Sequence, residues 1–327
     1  MKRRVGLLIV AALAAAGFTY SADADQGGSP GSLQAGAESA PGGVGSKIAF
    51  TRVETAVPGT EESPDAEIWS MNGDGSEPRR LTHNTTPDLG AVWSPNGKTV
   101  AFYSIDELAG PHIFLIDADG GDQTPLTGMR GRFPSWSTSG KIAFDNGGPT
   151  AGDIFVINPD GSGLERLTNA PAERNIRPDW SPNGQKIAFT SRRDGNDEIY
   201  VMNADGTEPT RLTSNNTFAD VAPAWSPDGR KIVFQSNRDD GRDTEIYVMN
   251  ADGTDQMRLT NYHGRDQDAD WSPNGRTIVF EQEIEPIADG VLQVFTMNAD
   301  GTDPTPLTGL PSENSHPGWG RGHAVQR

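Results

Sequence analysis

Residues that could do metal chemistry are concentrated in the irregular segments of this chain. Four of the five histidines, His83, His112, His263 and His316, fall in such segments, and carboxylates such as Asp266 accompany them. Imidazole nitrogens and carboxylate oxygens are common protein ligands of zinc and manganese. A metal-assisted enzyme is therefore one hypothesis for this sequence.

Signatures of catalysis are missing from the sequence beyond residue 24. It contains no Ser-His-Asp order, no H-E-x-x-H run, no P-loop and no dinucleotide fingerprint. Residues 27–31 (Gly-Gly-Ser-Pro-Gly) match a nucleophile elbow by letter only, since no strand pattern precedes them and no helix pattern follows. The recurrent Asp-Gly turns lack the further oxygen ligands of a calcium loop. We therefore expect no catalytic residue, no bound metal and no cofactor.

Six tryptophans mark the repeat whose elements must position these residues. They are Trp93, Trp136, Trp180, Trp225, Trp271 and Trp319, spaced 43 to 48 residues apart. Each typical unit has a Trp-Ser-Pro-Asn/Asp-Gly turn, an Ile-Ala/Val-Phe strand, an Ile-Tyr-Val-Met-Asn strand, an Asn-Ala-Asp-Gly turn and a Leu-Thr strand. A period in the forties with four strand signals per unit predicts an all-β, six-bladed β-propeller. We expect the tryptophans to be structural wedges between blades.

The strands and the closure of the ring can also be predicted. In the fourth unit, strands are expected near 178–181, 186–190, 198–203 and 210–213, and the third is apolar on both faces, which predicts cover on both sides. The propeller opens with the second strand of a unit at 47–50, whereas a last Trp-bearing strand at 317–320 has no partners after it. The C-terminal strand should therefore pair with the N-terminal blade and close the ring.

Strand direction sorts the connections onto two faces. The Ser-Pro-Asn-Gly and Asn-Ala-Asp-Gly turns share one, the repetitive face, while loops from second to third strands and from blade to blade share the other, the variable face. Divergent loops on a rigid scaffold usually carry binding specificity. The four histidines map to this face, around one half of the ring. The predicted partner-binding residues are Arg132, Arg177, Phe218, Asp220, Tyr262, His263, Arg265, Asp266 and His316.

The net charge and the terminal segments of the chain limit the locations and partners that can be expected. The chain has 327 residues, a net charge of −18 and no cysteine, which opposes binding to nucleic acid and excludes disulfides. We expect a signal peptide at 1–24, cleaved near Ala24, a flexible Gly/Ser/Pro-rich linker at 25–46, the propeller at 47–320 and a tail at 321–327. The mature protein should be an exported monomer, periplasmic or secreted, without a membrane span.

The repeat also resembles a known family. Residues 225–229 (Trp-Ser-Pro-Asp-Gly), 231–236 and 245–253 closely resemble the repeat of TolB-type, WD-like β-propellers, and the resemblance covers 47–320. TolB carries an α/β domain before its propeller, where this sequence shows only the linker. The resemblance implies a non-enzymatic module that binds a protein or cell-envelope polymer through the variable face. The alternative is a metal-assisted, glycan-active propeller enzyme of the lyase or hydrolase type.

Overall fold

Each repeat folds into one four-stranded antiparallel sheet, or blade. The computed structural model describes residues 46–54, 65–106, 109–148, 150–169, 173–215, 217–239, 241, 243–284 and 290–320. The expected signal peptide, the linker up to residue 45 and the tail at 321–327 lie outside these residues. The described residues include no helix that could cross a bilayer.

The strands follow the repeat in chain order. The chain begins blade 1 with β1 (Lys47–Val53), β2 (Ala66–Asn72) and β3 (Arg79–Arg80). Blade 2 contains β4 (Asp88–Trp93), β5 (Thr99–Asp106), β6 (Gly110–Asp117) and β7 (Thr124–Pro125). Blade 3 contains β8 (Arg132–Trp136), β9 (Ile142–Asp145), β10 (Ile154–Ile157) and β11 (Glu165–Arg166). Blade 4 contains β12 (Asn175–Trp180), β13 (Lys186–Ser191), β14 (Glu198–Asn203) and β15 (Thr210–Arg211).

Two more blades and a closing strand complete the ring. Blade 5 contains β16 (Asp220–Trp225), β17 (Lys231–Ser236), β18 (Glu245–Asn250) and β19 (Met257–Arg258). Blade 6 contains β20 (Asp266–Trp271), β21 (Thr277–Ile284), β22 (Val291–Asn298) and β23 (Thr305–Pro306). The last strand, β24 (Glu313–Trp319), pairs with β1, so that blade 1 has the order β24-β1-β2-β3. The predicted six-bladed architecture and its closure by the C-terminal strand are confirmed.

The hydrophobic core consists of layers between adjacent blades, and a tryptophan lies in each. Trp225 of blade 5 is buried with Ala188 and Ile199 of blade 4. At the closing seam, Trp319 packs with Phe50 of blade 1 and Val279 of blade 6. The residues of β14 from Glu198 to Met202 are all buried, because a blade lies on each side of the strand.

The repetitive face satisfies its own polar groups. In five of the Asn-x-Asp-Gly type turns, the Asp accepts hydrogen bonds from the backbone and hydroxyl of a Ser or Thr two residues later, and these bonds lower the pKa of the Asp. The turn carboxylates are Asp74, Asp160, Asp205, Asp252 and Asp300. Five lysines, which stand at or just before the start of second strands, also lie on this face; they are Lys47, Lys98, Lys141, Lys186 and Lys231.

Glycines of these turns sit against the preceding blade. Gly253 has φ +89°, and a Cβ there would lie 2.7 Å from the carbonyl oxygen of Leu212 in blade 4. A Cβ on Gly206 or Gly301 would likewise lie 2.6 or 2.7 Å from a carbonyl oxygen of the preceding blade. Only glycine combines this backbone conformation with so close an approach. The turns therefore link blade to blade along the outer part of the ring.

Candidate functional site

One residue in each innermost strand turns towards the centre of the ring. These six residues, the channel ring, have φ between +48° and +61°, and each lies three residues before a repeat tryptophan; they are Gly90, Phe133, Arg177, Ala222, Asp268 and His316. Each falls where the pairing of the innermost strand with its neighbour is interrupted by a bulge. A bulge bends its strand and re-aims a side chain. Here, four of the six side chains meet.

The four larger side chains of the channel ring form a polar and aromatic plug. Arg177 of blade 4 makes an ion pair with Asp268 of blade 6, and its guanidinium lies 4.1 Å from the ring centroid of Phe133 in blade 3. His316 of blade 1 has its Nε2 3.4 Å from Asp268 Oδ2. Its ring stacks on that of Phe133, with centroids 6.4 Å apart. Non-neighbouring blades are thus joined across the channel.

A second set of side chains, the seam residues, recurs at one position in every blade, and four of them connect their blade to the next. They occupy equivalent positions in the second strands: Thr51, Tyr103, Asp145, Thr190, Gln235 and Glu281. Four of them accept a hydrogen bond from the backbone N–H of the channel-ring residue of the following blade. Thr190 Oγ1 and Gln235 Oε1 do so at 3.1 and 2.9 Å, and Glu281 Oε2 does so at 2.7 Å from the N–H of His316. The same bond is therefore made by neutral and acidic side chains.

Burial and charge set the protonation of this group. Burial, reinforced by the negative charge of Asp268, raises the pKa of Glu281 to about 8. Burial alone would also raise the pKa of Asp268, but the charges of Arg177 and His316 and the hydrogen bond from Arg177 outweigh it, so that this pKa is lowered. Burial lowers the pKa of His316. Arg177 therefore favours the ionised form of Asp268 inside the channel, whereas burial disfavours the charged form of the His316 imidazole.

Three of these side chains could hold a metal ion. Asp268, Glu281 and His316 offer ligand atoms that all lie within 4.8 Å of one another, and no other such group of three occurs among the described residues. A cavity of about 150 Å³ in the channel adjoins Asp268 and His316 and extends from the plug towards the repetitive face. Two further carboxylates line it, Asp179 and Asp270, whose oxygens accept backbone N–H bonds from the next blade's tryptophan.

Three predicted partner-binding residues lie on the variable face where blade 5 leads into blade 6. Tyr262 is 58% exposed and His263 is also exposed. Arg265 is partly exposed and donates from Nε to Glu283 Oε2 at 2.8 Å. Phe218, on the loop before blade 5, is half-buried.

The structure places the other predicted site residues inside the molecule. Arg177 and His316 belong to the channel ring, and Arg132 is half-buried, with Nη2 3.5 Å from Asp145. Asp220 is fully buried in an ion pair with Arg238, and Asp266 accepts a hydrogen bond from Gln282 at 2.9 Å. The innermost strands begin earlier than the sequence indicates, at Asn175, Asp220 and Asp266, so that these residues belong to strands instead of exposed loops.

The four candidate histidines do not form one cluster. His83 is exposed after β3, His112 lies in β6 with Nδ1 3.0 Å from the carbonyl oxygen of Gly110, and His263 is exposed on the variable face. His316 alone of the four joins a group of carboxylates. Sequence reasoning missed Glu281 and Phe133. Their positions could have been found from their spacing along the sequence from the repeat tryptophans, which recurs from blade to blade.

Comparison with known proteins supports the propeller assignment. The family model described as the TolB beta propeller domain matches residues 214–324, and the Tricorn protease N-terminal beta propeller domain matches residues 149–245. An uncharacterized protein of Agrobacterium fabrum is 32% identical over 123 residues, which is 37% of this chain and 41% of that protein. The chain thus matches about two fifths of the length of this curated relative.

Solved structures show the same fold. TolB from Acinetobacter baumannii has a TM-score of 0.70 at 24% identity, covering 84% of this chain and 66% of its own. A putative TolB from Agrobacterium tumefaciens has a TM-score of 0.62 at 22% identity, and the match covers 80% of this chain and 88% of that protein. Hydrazine synthase from Kuenenia stuttgartiensis has a TM-score of 0.66 at 16% identity, and the match covers 84% of this chain and 46% of that protein. The resemblance to TolB-like propellers is thereby confirmed.

Proposed function

We propose that this chain, a TolB-like six-bladed β-propeller, is an exported binding module that engages a protein or cell-envelope partner through its variable face. The basic residues 2–4 and the apolar stretch 5–18 support export through a cleaved signal peptide. The module acts by binding and has no catalytic activity of its own. A TolB-like ring is compatible with this role because it presents loops from six blades on one rigid face.

The observation that carries the proposal is a set of exposed and partly exposed residues on the loops around blade 6. This blade-6 patch consists of Tyr262, His263, Arg265 and Leu310, on the loops that enter and leave the blade. Tyr262 is 58% exposed and Leu310 is 56% exposed, and neither packs in a core cluster. Exposed aromatic and arginine side chains are enriched at the centres of protein interfaces. The patch thus offers anchors for a partner.

Two exposed hydrophobic residues elsewhere provide a matched control. Leu164 is 49% exposed and Met257 is 50% exposed, and both lie at the outer strands beside turns of the repetitive face. A photo-reactive amino acid placed at 262 or 310 in the native cells should crosslink a discrete partner, and one placed at 164 or 257 should not. Equal crosslinking from both pairs of positions would contradict the assignment of the variable face.

The purified partner then permits a quantitative test. Tyr262→Ser combined with Leu310→Ser should raise the Kd of the complex with the partner by about tenfold or more, because loss of an interface anchor costs at least about 1.4 kcal/mol. Leu164→Ser combined with Met257→Ser should leave the Kd unchanged. Turnover of a glycan by the purified chain, with or without added metal, would favour the alternative glycan-active enzyme over a binding module.

A further inference from the structure

We propose that Asp268, Glu281 and His316 bind one divalent transition-metal ion, with zinc the best fit, and that this ion fastens blade 6 to blade 1 where the ring closes. Asp268 and Glu281 lie on β20 and β21 of blade 6, and His316 lies on β24 of blade 1. The ion would therefore connect the last complete blade to the strand that closes the propeller.

The spacing of the ligand atoms suits a metal better than a hydrogen bond. His316 Nε2 and Asp268 Oδ2 are 3.4 Å apart, which exceeds the usual range for a charge-assisted N–H···O contact. Tetrahedral zinc with bonds of about 2.1 Å separates its ligand atoms by about 3.4 Å. A zinc ion placed between these two atoms would thus meet both at normal bond length.

The atoms needed for coordination are available and oriented. Arg177 pairs with Asp268 Oδ1, which leaves Oδ2 directed towards His316. His316 Nδ1 lies 3.1 Å from Ser315 Oγ, so that the second ring nitrogen is held while Nε2 faces the carboxylate. Metal-binding histidines typically have such a partner on the nitrogen that does not bind the metal.

Equivalent positions in other blades show that the seam does not require these ionisable groups. Gln235 makes in blade 5 the backbone hydrogen bond that Glu281 makes in blade 6, and Thr190 makes it in blade 4. The channel-ring position is occupied by Ala222 in blade 5 and by Gly90 in blade 2. Burying a second carboxylate beside Asp268 is costly unless it is protonated or a cation accompanies it. A bound metal would supply charge that the single guanidinium of Arg177 does not.

The channel provides room for the remaining ligand, and the donor set indicates the kind of metal. The adjoining cavity of about 150 Å³ can hold several waters, each of which occupies about 30 Å³ in the liquid. An imidazole ligand favours zinc and related transition ions over magnesium or calcium, and carboxylate oxygens also bind zinc. Calcium instead takes six to eight oxygen ligands, which this group does not supply.

The test measures metal binding by the intact chain after removal of metals with a chelator. Zinc titrated against a chromophoric competitor should bind at one ion per chain and raise the Tm. Cobalt in its place should give the visible absorption of a four-coordinate site. Binding of calcium in preference to zinc, or no stoichiometric zinc binding, would overturn the proposal.

Variants drawn from blade 5 keep the test interpretable. His316→Ala and Glu281→Gln introduce the residue types of Ala222 and Gln235, so that both should fold, as checked by their metal-free melting curves. Each should weaken zinc binding by at least roughly 100-fold, since even the partners of metal ligands typically contribute 10–100-fold. His263→Ala should bind zinc like the unaltered chain. Unchanged zinc binding in His316→Ala and Glu281→Gln, or equal loss in His263→Ala, would contradict the proposed site.

Discussion

Tryptophan at the end of each innermost strand fills the wedge between two blades. Trp225 is buried in one cluster with Val201 of blade 4 and with Ile232 and Phe234 of blade 5. We expect Trp225→Ala to lower the free energy of unfolding by about 3–5 kcal/mol, because it leaves a cavity between the blades. Denaturant unfolding measures this change. Trp225→Phe should cost less, as the indole Nε1 makes no hydrogen bond. An unchanged stability of the Ala variant would exclude the packing role.

A buried carboxyl in blade 2 should make stability depend on pH. Asp88 is fully buried at the start of β4, and burial, with a further contribution from Glu67, raises its pKa to about 7. Because the folded pKa lies above the unfolded one, the stability due to the protonated carboxyl is present below about pH 4 and is lost as the pH rises towards 7. Asp88→Asn should therefore gain roughly 1–2 kcal/mol at pH 8 and little at pH 4.

Other blades supply the precedent and the control for this prediction. Asn175 and Asn314 occupy the equivalent positions in blades 4 and 1, so the amide fits the site. Asp220 of blade 5 is instead paired with Arg238 at 2.6 Å. Asp220→Asn should lower stability at pH 8, opposite to Asp88→Asn. Melting curves across the pH range test both, and a stabilising effect of both substitutions would contradict the distinction.

At the scale of the element, turn glycines should matter through their contact with the preceding blade. Gly253 and Gly140 have φ of +89° and +87°, but a Cβ would meet the carbonyl oxygen of Leu212 at Gly253 and no atom within 4 Å at Gly140. Both Ala variants carry the backbone strain of positive φ. Gly253→Ala should therefore lose more stability than Gly140→Ala, by about 1 kcal/mol or more. Equal shifts in Tm would show that the contact between blades contributes nothing.

The elements of each blade could be predicted from sequence, whereas the inward-turned backbone of the channel-ring residues could not. β14 spans 198–203 as the Ile-Tyr-Val-Met-Asn pattern indicates, because its apolar residues and the following turn define both ends. The positive φ of Arg177 and His316 has no such local signal, since neither is glycine. It coincides with a bulge in the pairing of the innermost strand with its neighbour, which the local sequence does not indicate. Sequence reasoning therefore assigned both residues to exposed loops.

At the scale of the molecule, closure by β24 should be essential for folding. Ending the chain after Ser312 removes β24, exposes the edge of β1 and uncovers the cluster that Trp319 shares with Phe50. We expect this truncated chain to aggregate or to lose cooperative unfolding, as observed by size-exclusion chromatography and thermal melting. A chain ended after Gly320 keeps β24 and should melt like the full chain. A monomeric, equally stable chain ending at Ser312 would contradict this role of closure.

The position of the lysines has a practical consequence for measuring partners. Every lysine among the described residues lies on the repetitive face, whereas the blade-6 patch and the channel plug contain arginine and histidine but no lysine. Coupling to a biosensor chip through lysine amines would therefore attach the ring by its repetitive face and leave the variable face turned towards the solution. Arginine is inert to such coupling, so the chemistry itself orients the immobilised protein for its partner.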